Sequence, residues 1–265
     1  MHDIGKNCYT DKRQICKFLR QFPPIASIVT RTLSGYVAMT ALQTQEHELQ
    51  KLPLGVDDIV AAVEEDIVLG RLHPKERLVE EDLTERFDCK RHIVRQALFQ
   101  LEGIGLIERI KNRGAFVRAY SPKEVEDLYA MREILELAGA SAIPLPAPPK
   151  MIEELEDIHR RYTDAVEHQD LRGVFRLNIA FHHALFSLTG NALLSETINE
   201  FAQKAHGIRF IAITDTKSRM RARDDHQAMI DAIKQQDRPR LCALCRDHIL
   251  PSKKIYIDLY RKRFN

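Results

Sequence analysis

The sequence predicts a mainly α-helical protein: an N-terminal winged helix-turn-helix followed by a larger antiparallel helical bundle. Three observations point to it. Three amphipathic helical patterns and one hairpin signal crowd into residues 53–119, a double helix-start signal opens a new region at Ser121, and that region carries six helical patterns with no strand signal.

The chain has 265 residues, enough for two cores. With 44% hydrophobic and 29% charged residues, it has the balance of a soluble globular protein. No apolar run is long enough to cross a membrane, and the opening MHDIGKNCYTDKRQICKFLRQFPP lacks the apolar stretch of an export signal. A cytoplasmic location is therefore expected, with no membrane partner. The cysteines Cys8, Cys16, Cys89, Cys242 and Cys245 are odd in number and scattered, which argues against a disulfide framework. Cys242 and Cys245 form a C-x-x-C, but inside a helical pattern and without a second pair, so they read as helix cysteines.

Residues 1–52 show no sustained period and read as an arm, poorly ordered and dispensable, with Met39 an alternative start. The first helix is VDDIVAAVEEDIVLG, where Val56, Ile59, Val60, Val63 and Ile67 form one apolar stripe and Gly70 supplies the stop. LVEEDLTERF is a short second helix, Asp88-Cys89 the turn after it, and KRHIVRQALFQLEGIG a third helix ending at Gly103 or Gly105. LIERIKNRGAFVRA then reads as two short strands around Lys111-Asn112-Arg113-Gly114. Ser121-Pro122-Lys123-Glu124 combines a capping box with proline at the first helical position, which puts a domain boundary just before it. That helix runs to the proline-rich IPLPAPPK. Further helices are expected from MIEELEDIHRRYTDAVEH, LRGVFRLNIAFHHALFSLT, ALLSETINEFAQKAHGIRFIAI, RARDDHQAMIDAIKQQ and RPRLCALCRDHILPSKKIYIDLYRK, with Pro251 kinking the last.

Charge is distributed unevenly. Three Lys/Arg face ten Asp/Glu between Pro53 and Glu85, whereas eight face three between Arg86 and Arg118. A recognition helix enters the major groove by its N-terminal end, where basic side chains meet base edges and amides meet phosphate. Here that end carries Lys90 and Arg91 on the first turn, with His92 and Arg95, and Arg91 and Arg95 share a face. Ile93, Val94, Ala97, Leu98 and Leu101 point inward. Lys111, Asn112 and Arg113 sit at the hairpin tip, and Gly114 lets backbone approach closely. An isolated basic helix is more often a solvated face, but the order of helices and hairpin favours double-stranded DNA.

The stretch RLVEEDLTERFDCKRHIVRQALFQLEGIGLIERIKNRGAFV resembles the N-terminal domain of GntR-family regulators, and the helical remainder resembles their FCD (FadR-like) effector domain, over about residues 55–260. The resemblance implies DNA contacts by Arg91, Arg95 and the Arg113-Gly114 wing. Asp88, Cys89, Lys90, Ile93 and Gln96 depart from the glycine, valine, serine or threonine, proline and glutamate usual in the family. All five lie in the turn or recognition helix, where they bear on operator choice rather than on fold.

Asn178 and His182 are i, i+4 on one helix, and His226 and His248 lie on two later ones. Antiparallel packing could bring the four together, and three imidazoles suit zinc, nickel or another borderline metal. Spacing alone favours ordinary core or surface histidines. The FCD resemblance reverses that preference, because such domains carry a metal on a D/N-x-x-x-H pair and two later histidines. His183 points away. Arg132, in MREILEL, resembles the family's effector-binding arginine, with Arg209 a second candidate; the plain alternative for Arg132 is an ion pair with Glu136.

The expected function is that of a DNA-binding transcriptional regulator, read as a repressor. It works as a homodimer, and a small carboxylate-bearing metabolite bound with a divalent metal controls its operator affinity. Two alternatives stay open at this stage. A metal-dependent enzyme would lack an obvious general base and leave the N-terminal domain unexplained, and an effector-independent DNA-binding protein would leave the histidines unused.

Overall fold

The computed structural model describes residues 54–264; the expected arm, Met39 included, lies outside the described residues. Helix α1 (Val56–Val68) buries Ile59, Val63 and Ile67, as its stripe predicts, and Gly70 takes φ 70° just beyond its end. The same helix also buries Glu64, Glu65 and Asp66, a second inward face that an apolar count does not detect.

A two-residue strand β1 (Arg77–Leu78) follows, too short for any alternation to register. Helix α2 (Glu80–Phe87) and helix α3 (Arg91–Gly103) flank the turn, where Asp88 adopts φ 45°. Aspartate is among the few residues that visit this left-handed region, so it fills a place where glycine is usual. Strands β2 (Ile107–Ile110) and β3 (Gly114–Val117) form the expected hairpin. β3 lies between β1 and β2, with Arg77 opposite Phe116 and Glu108 opposite the same residue on the other side. Asn112 at φ 64° and Gly114 at φ 101° turn the tip.

The bundle begins as its capping box predicts. In helix α4 (Pro122–Ala142), Ser121 Oγ accepts from the Glu124 amide at 3.3 Å, and Glu124 Oε2 accepts from the Ser121 amide at 2.8 Å. Helix α5 (Pro149–Glu167) starts within the proline run rather than after it, because proline at the first helical position has no amide to waste. Helices α6 (Leu171–Ser187), α7 (Ala192–Lys204), α8 (His206–Thr214), α9 (Thr216–Lys234) and α10 (Arg238–Phe264) complete it.

The bundle region therefore has seven helices among the described residues, not six. The single helix expected over 192–213 breaks at Ala205, although no proline stands there. A tertiary contact accompanies the break: α8 packs against α1, and His206 Nδ1 lies 2.8 Å from Glu64 Oε1. Pro251 sits inside α10, which remains one element.

Separate apolar cores serve the two parts. Ile59, Val63, Val94, Leu98, Leu101 and Ile107 fill the first; Phe181, Leu185, Phe186, Met229, Ile233 and Leu241 fill the main core of the second. Gly139 lets α4 approach closely, since a Cβ there would stand 2.6 Å from Ile198 Cδ1. Polar contacts join the parts. Tyr120 donates its hydroxyl to the Gly105 carbonyl at 2.7 Å and its amide to Tyr256 Oη at 3.0 Å. Cys89, Cys242 and Cys245 are free thiols.

Candidate functional site

In the N-terminal part, α3 and the hairpin frame a concave face lined by Arg77, Arg91, Arg95, Arg109, Lys111 and Gly114. Lys90 is the N-cap of α3 rather than a residue of its first turn, and its ammonium, a donor only, cannot accept from the helix's leading amides. Arg91, His92 and Arg95 are all exposed. Arg113 is exposed at the wing tip, with its guanidinium 5.6 Å from the Phe116 ring centre. Arg77 and Arg109 were not among the expected contacts: each lies on a short strand, where only tertiary pairing brings it to this face.

Acidic residues of α2 hold the two central arginines. Glu80 Oε2 accepts from Arg91 Nε at 3.0 Å and Arg95 Nε at 2.9 Å, while Glu81 pairs with Arg91 Nη2. Burial works to raise the Glu80 carboxyl, but the hydrogen bonds from Arg95 and Arg91 hold it below its ordinary value. The two arginines are thus held on one face by carboxylates of α2.

Within the bundle, α6, α9 and α10 bring His182, His226 and His248 together. One nitrogen of each lies within 4.8 Å of the others, and His182 Nε2 is 3.2 Å from His248 Nε2. Their ring centres are 5.2, 5.0 and 5.0 Å apart. His248 Nδ1 donates to Asp225 Oδ2 at 3.0 Å, leaving the Nε2 lone pair toward the cluster. Burial pushes His182 and His226 well below the ordinary histidine range, and neighbouring His248 adds to the shift in both. Neutral imidazoles are the form that binds metal. His183 is exposed, as its position on the helix predicts. Asp225 was missed, although it stands beside His226 in the sequence.

Asn178 and Arg209 share with His248 the lining of a cavity of about 60 Å³, to which Tyr162, Asp225 and Ser252 also contribute. That is room for about two waters. Burial lowers Arg209 from its ordinary value, and the nearby Arg132 charge lowers it further; among the described residues no carboxylate pairs with it. Arg132 does not line this cavity. Its Nε and Nη2 both donate to Glu136 Oε1, at 3.1 and 2.7 Å, so the ion-pair alternative is the arrangement present. Arg132 Nη1 is buried and has no partner.

Residues 56–117 match the description of bacterial regulatory proteins, gntR family, and residues 127–250 match the FCD domain. The chain belongs to the GntR family. Its relatives include an HTH-type transcriptional regulator of Streptomyces ambofaciens from an unstable DNA locus, 26% identical over 206 residues that cover 78% of this chain and 85% of the relative. The HTH-type transcriptional repressor RspR of Escherichia coli K12 is 24% identical over 172 residues, covering 65% and 75%. Solved structures share the fold. A GntR regulator from Rhodococcus sp. RHA1 superposes with a TM-score of 0.65 at 20% identity, covering 77% of this chain and 97% of its own, and E. coli McbR/YncC with 0.64 at 17%, covering 79% and 98%. This GntR-family chain is thus a transcriptional regulator of the FCD type, not an enzyme. No helix among the described residues is long and apolar enough to cross a membrane.

Proposed function

We propose that residues 53–119 bind operator DNA and that residues 120–265 bind an effector and dimerise, so that a small organic acid, held with a divalent metal, controls repression. In this reading Arg91 and Arg95, helped by Lys90 and His92, read the major groove, and Arg113 with Gly114 follows the adjacent backbone. Repression is favoured by the name of one relative, HTH-type transcriptional repressor RspR. Exposed Met131, Ile134 and Leu137 line one side of α4 and supply an apolar surface for a two-fold partner. The cytoplasm follows from this role.

Arg91→Ala is expected to weaken binding to a duplex selected from a random pool by about 1–3 kcal/mol and to relax preference at the base it reads. Titration of selected and scrambled duplexes at several salt concentrations measures this, and the wild-type footprint should show two half-sites. Equal affinity of Arg91→Ala for the selected duplex would sink the recognition-helix assignment.

The metal reading is carried by the spacing of the three rings. Two imidazoles on one ion, with nitrogens about 2.1 Å and ring centres about 3.2 Å from it, stand about 4.5–5.3 Å apart at coordination angles of about 90–110°. The observed 5.0–5.2 Å falls inside that range. Two buried, unpartnered nitrogens of His226 fit the same donor set, as does the carboxylate behind His248. His182, His226 and His248 would hold the ion, zinc or nickel by donor type, with the Asn178 amide oxygen as a weaker fourth ligand. Bound there, the metal supplies positive charge for a carboxylate. Arg209 and the free Nη1 of Arg132 supply the rest of the anion's partners. The small cavity must widen to admit a metabolite.

Such widening has a direct route to the reading head. Arg172 and Arg176 of α6, just ahead of Asn178, reach Glu65 of α1 at 2.8 and 3.6 Å, and His206 of α8, just ahead of Arg209, reaches Glu64. An effector that prefers one setting of α6 and α8 therefore biases the pose of α1. Elemental analysis of purified protein should find about one metal per chain, and His226→Ala should lose both the metal and the effector response. Metal content near zero after growth in metal-replete medium, with no thermal stabilisation on add-back, rules the site out.

A further inference from the structure

In the three-histidine group, one ring is both sealed from solvent and without outer support. Both nitrogens of His226 are sealed from solvent and lack a hydrogen-bond partner. Only one of them can face His182 and His248. An imidazole that ligates through one nitrogen carries a proton on the other, and that N–H is ordinarily given to a carboxylate, a carbonyl or a water. Asp225 serves His248 in this way. No carboxylate or carbonyl serves His226 among the described residues.

Among those residues, one other histidine nitrogen is in the same condition: Nδ1 of His159, on α5. His159 is 8% exposed and lies at the edge of a groove between α5 and α9. Its ring centre is 6.4 Å from that of His226, with the planes at 79°. Phe181 packs on both, stacked on His226 at 4.0 Å and edge-on to His159 at 6.4 Å. His159 makes ring contact with neither His182 nor His248, so it is not a fourth ligand: a ligand nitrogen would bring its ring as close to those two as they are to each other. The spacing also separates direct from bridged contact. A direct N–H···N bond between collinear rings sets their centres about 5.2 Å apart, short of the observed distance, whereas one intervening water spans it.

We propose that His159 is a positioning residue of the metal centre, accepting the outer N–H of His226 on Nδ1 through one water and so fixing that ring's tautomer and tilt. The inference rests on the metal reading above. It adds a residue that touches neither metal nor effector and that spacing from the other histidines does not reveal.

The test measures zinc affinity by competition with a chromophoric chelator, and the visible spectrum of the cobalt-loaded protein, for wild type, His159→Phe and His159→Asn. Phenylalanine keeps the packing against Phe181 and removes the acceptor; asparagine returns an acceptor at the Nδ1 position. His159→Phe should bind zinc about 10–100-fold more weakly and shift the cobalt bands, and His159→Asn should recover part of both. The metal-free His159→Phe protein should melt close to metal-free wild type, because phenylalanine keeps the contact with Phe181 and no metal then fixes which His226 nitrogen carries the proton. A purely structural role predicts the reverse: a lower melting temperature with unchanged zinc affinity and cobalt spectrum. That result, in a wild type that binds zinc tightly, overturns the role of His159 alone. A wild type that takes up neither zinc nor cobalt overturns the metal reading and this inference with it.

Discussion

Replacing Arg132 by alanine is expected to destabilise the protein by about 3–5 kcal/mol, because it strands a buried carboxylate. Arg132 is 3% exposed and Glu136 2%, and one oxygen of Glu136 receives two hydrogen bonds from the guanidinium. Removing one member of such a pair leaves the other desolvated and uncompensated. Replacing both with apolar residues of similar volume leaves neither, so Arg132→Met/Glu136→Leu should fall much closer to wild type. Both variants lose the free Nη1, and so both should lose the acid effector while keeping the metal. Urea unfolding of the single and double variants, with metal and effector binding measured on each, separates the two roles of this arginine. Recovery of effector binding in the double variant would show that Arg132 only neutralises Glu136. A cost below about 1 kcal/mol for the single variant would mean that the Arg209 charge already compensates Glu136.

Acid should destabilise the metal-free protein steeply between pH 6.5 and 5.5. Burial is the first cause of the downward shift in His159, His182, His206 and His226, and it lowers His182 and His226 furthest from their ordinary value. The folded state keeps these rings neutral, while the unfolded chain takes up protons below about pH 6.5. Stability from a lowered histidine is thus full above the unfolded value and lost as pH falls toward the folded one. One unit below the unfolded value each strongly lowered ring costs on the order of 1 kcal/mol, so His182 and His226 together dominate the loss. Glu64 adds to the same trend at lower pH: although burial works to raise its carboxyl, the hydrogen bond from His206 holds it below its ordinary value. Urea unfolding in a chelator at pH 7.5 and 5.5 measures the difference, and a flat profile would show that the rings charge freely in the folded protein. Saturating zinc should raise stability most at the higher pH, because protons and metal compete for the same lone pairs.

Much of this was legible along the chain because the features are local. The apolar stripes of α1 and α3, the Lys-Asn-Arg-Gly hairpin and the Ser121 capping box each need only a few neighbouring residues to act, and all appear where the pattern puts them. The Asn178 and His182 pair is likewise a matter of helical pitch. Other elements were read imperfectly for an equally physical reason. Strand β1 exists only because β3 is there to pair with it. The break at Ala205 has no proline to force it, and it accompanies the contact of α8 with α1. Glu64, Glu65 and Asp66 look like a solvated acidic run until partners from α2, α6 and α8 arrive.

By itself, then, the sequence determined most of the elements in their order, since propensity, periodicity and capping are short-range, and it offered candidate side chains for DNA, with the histidines nominated for metal only through the FCD resemblance. Tertiary structure decided which of those groups meet. It brought histidines from three helices to 5.0–5.2 Å, tied Arg132 to Glu136, and closed Arg91 and Arg95 onto Glu80. It also left nitrogens of His159 and His226, whose ring centres are 6.4 Å apart, buried without a hydrogen-bond partner. Those pairings depend on where distant segments pack, and burial sets their strength by removing the water that would otherwise screen each charge and satisfy each nitrogen.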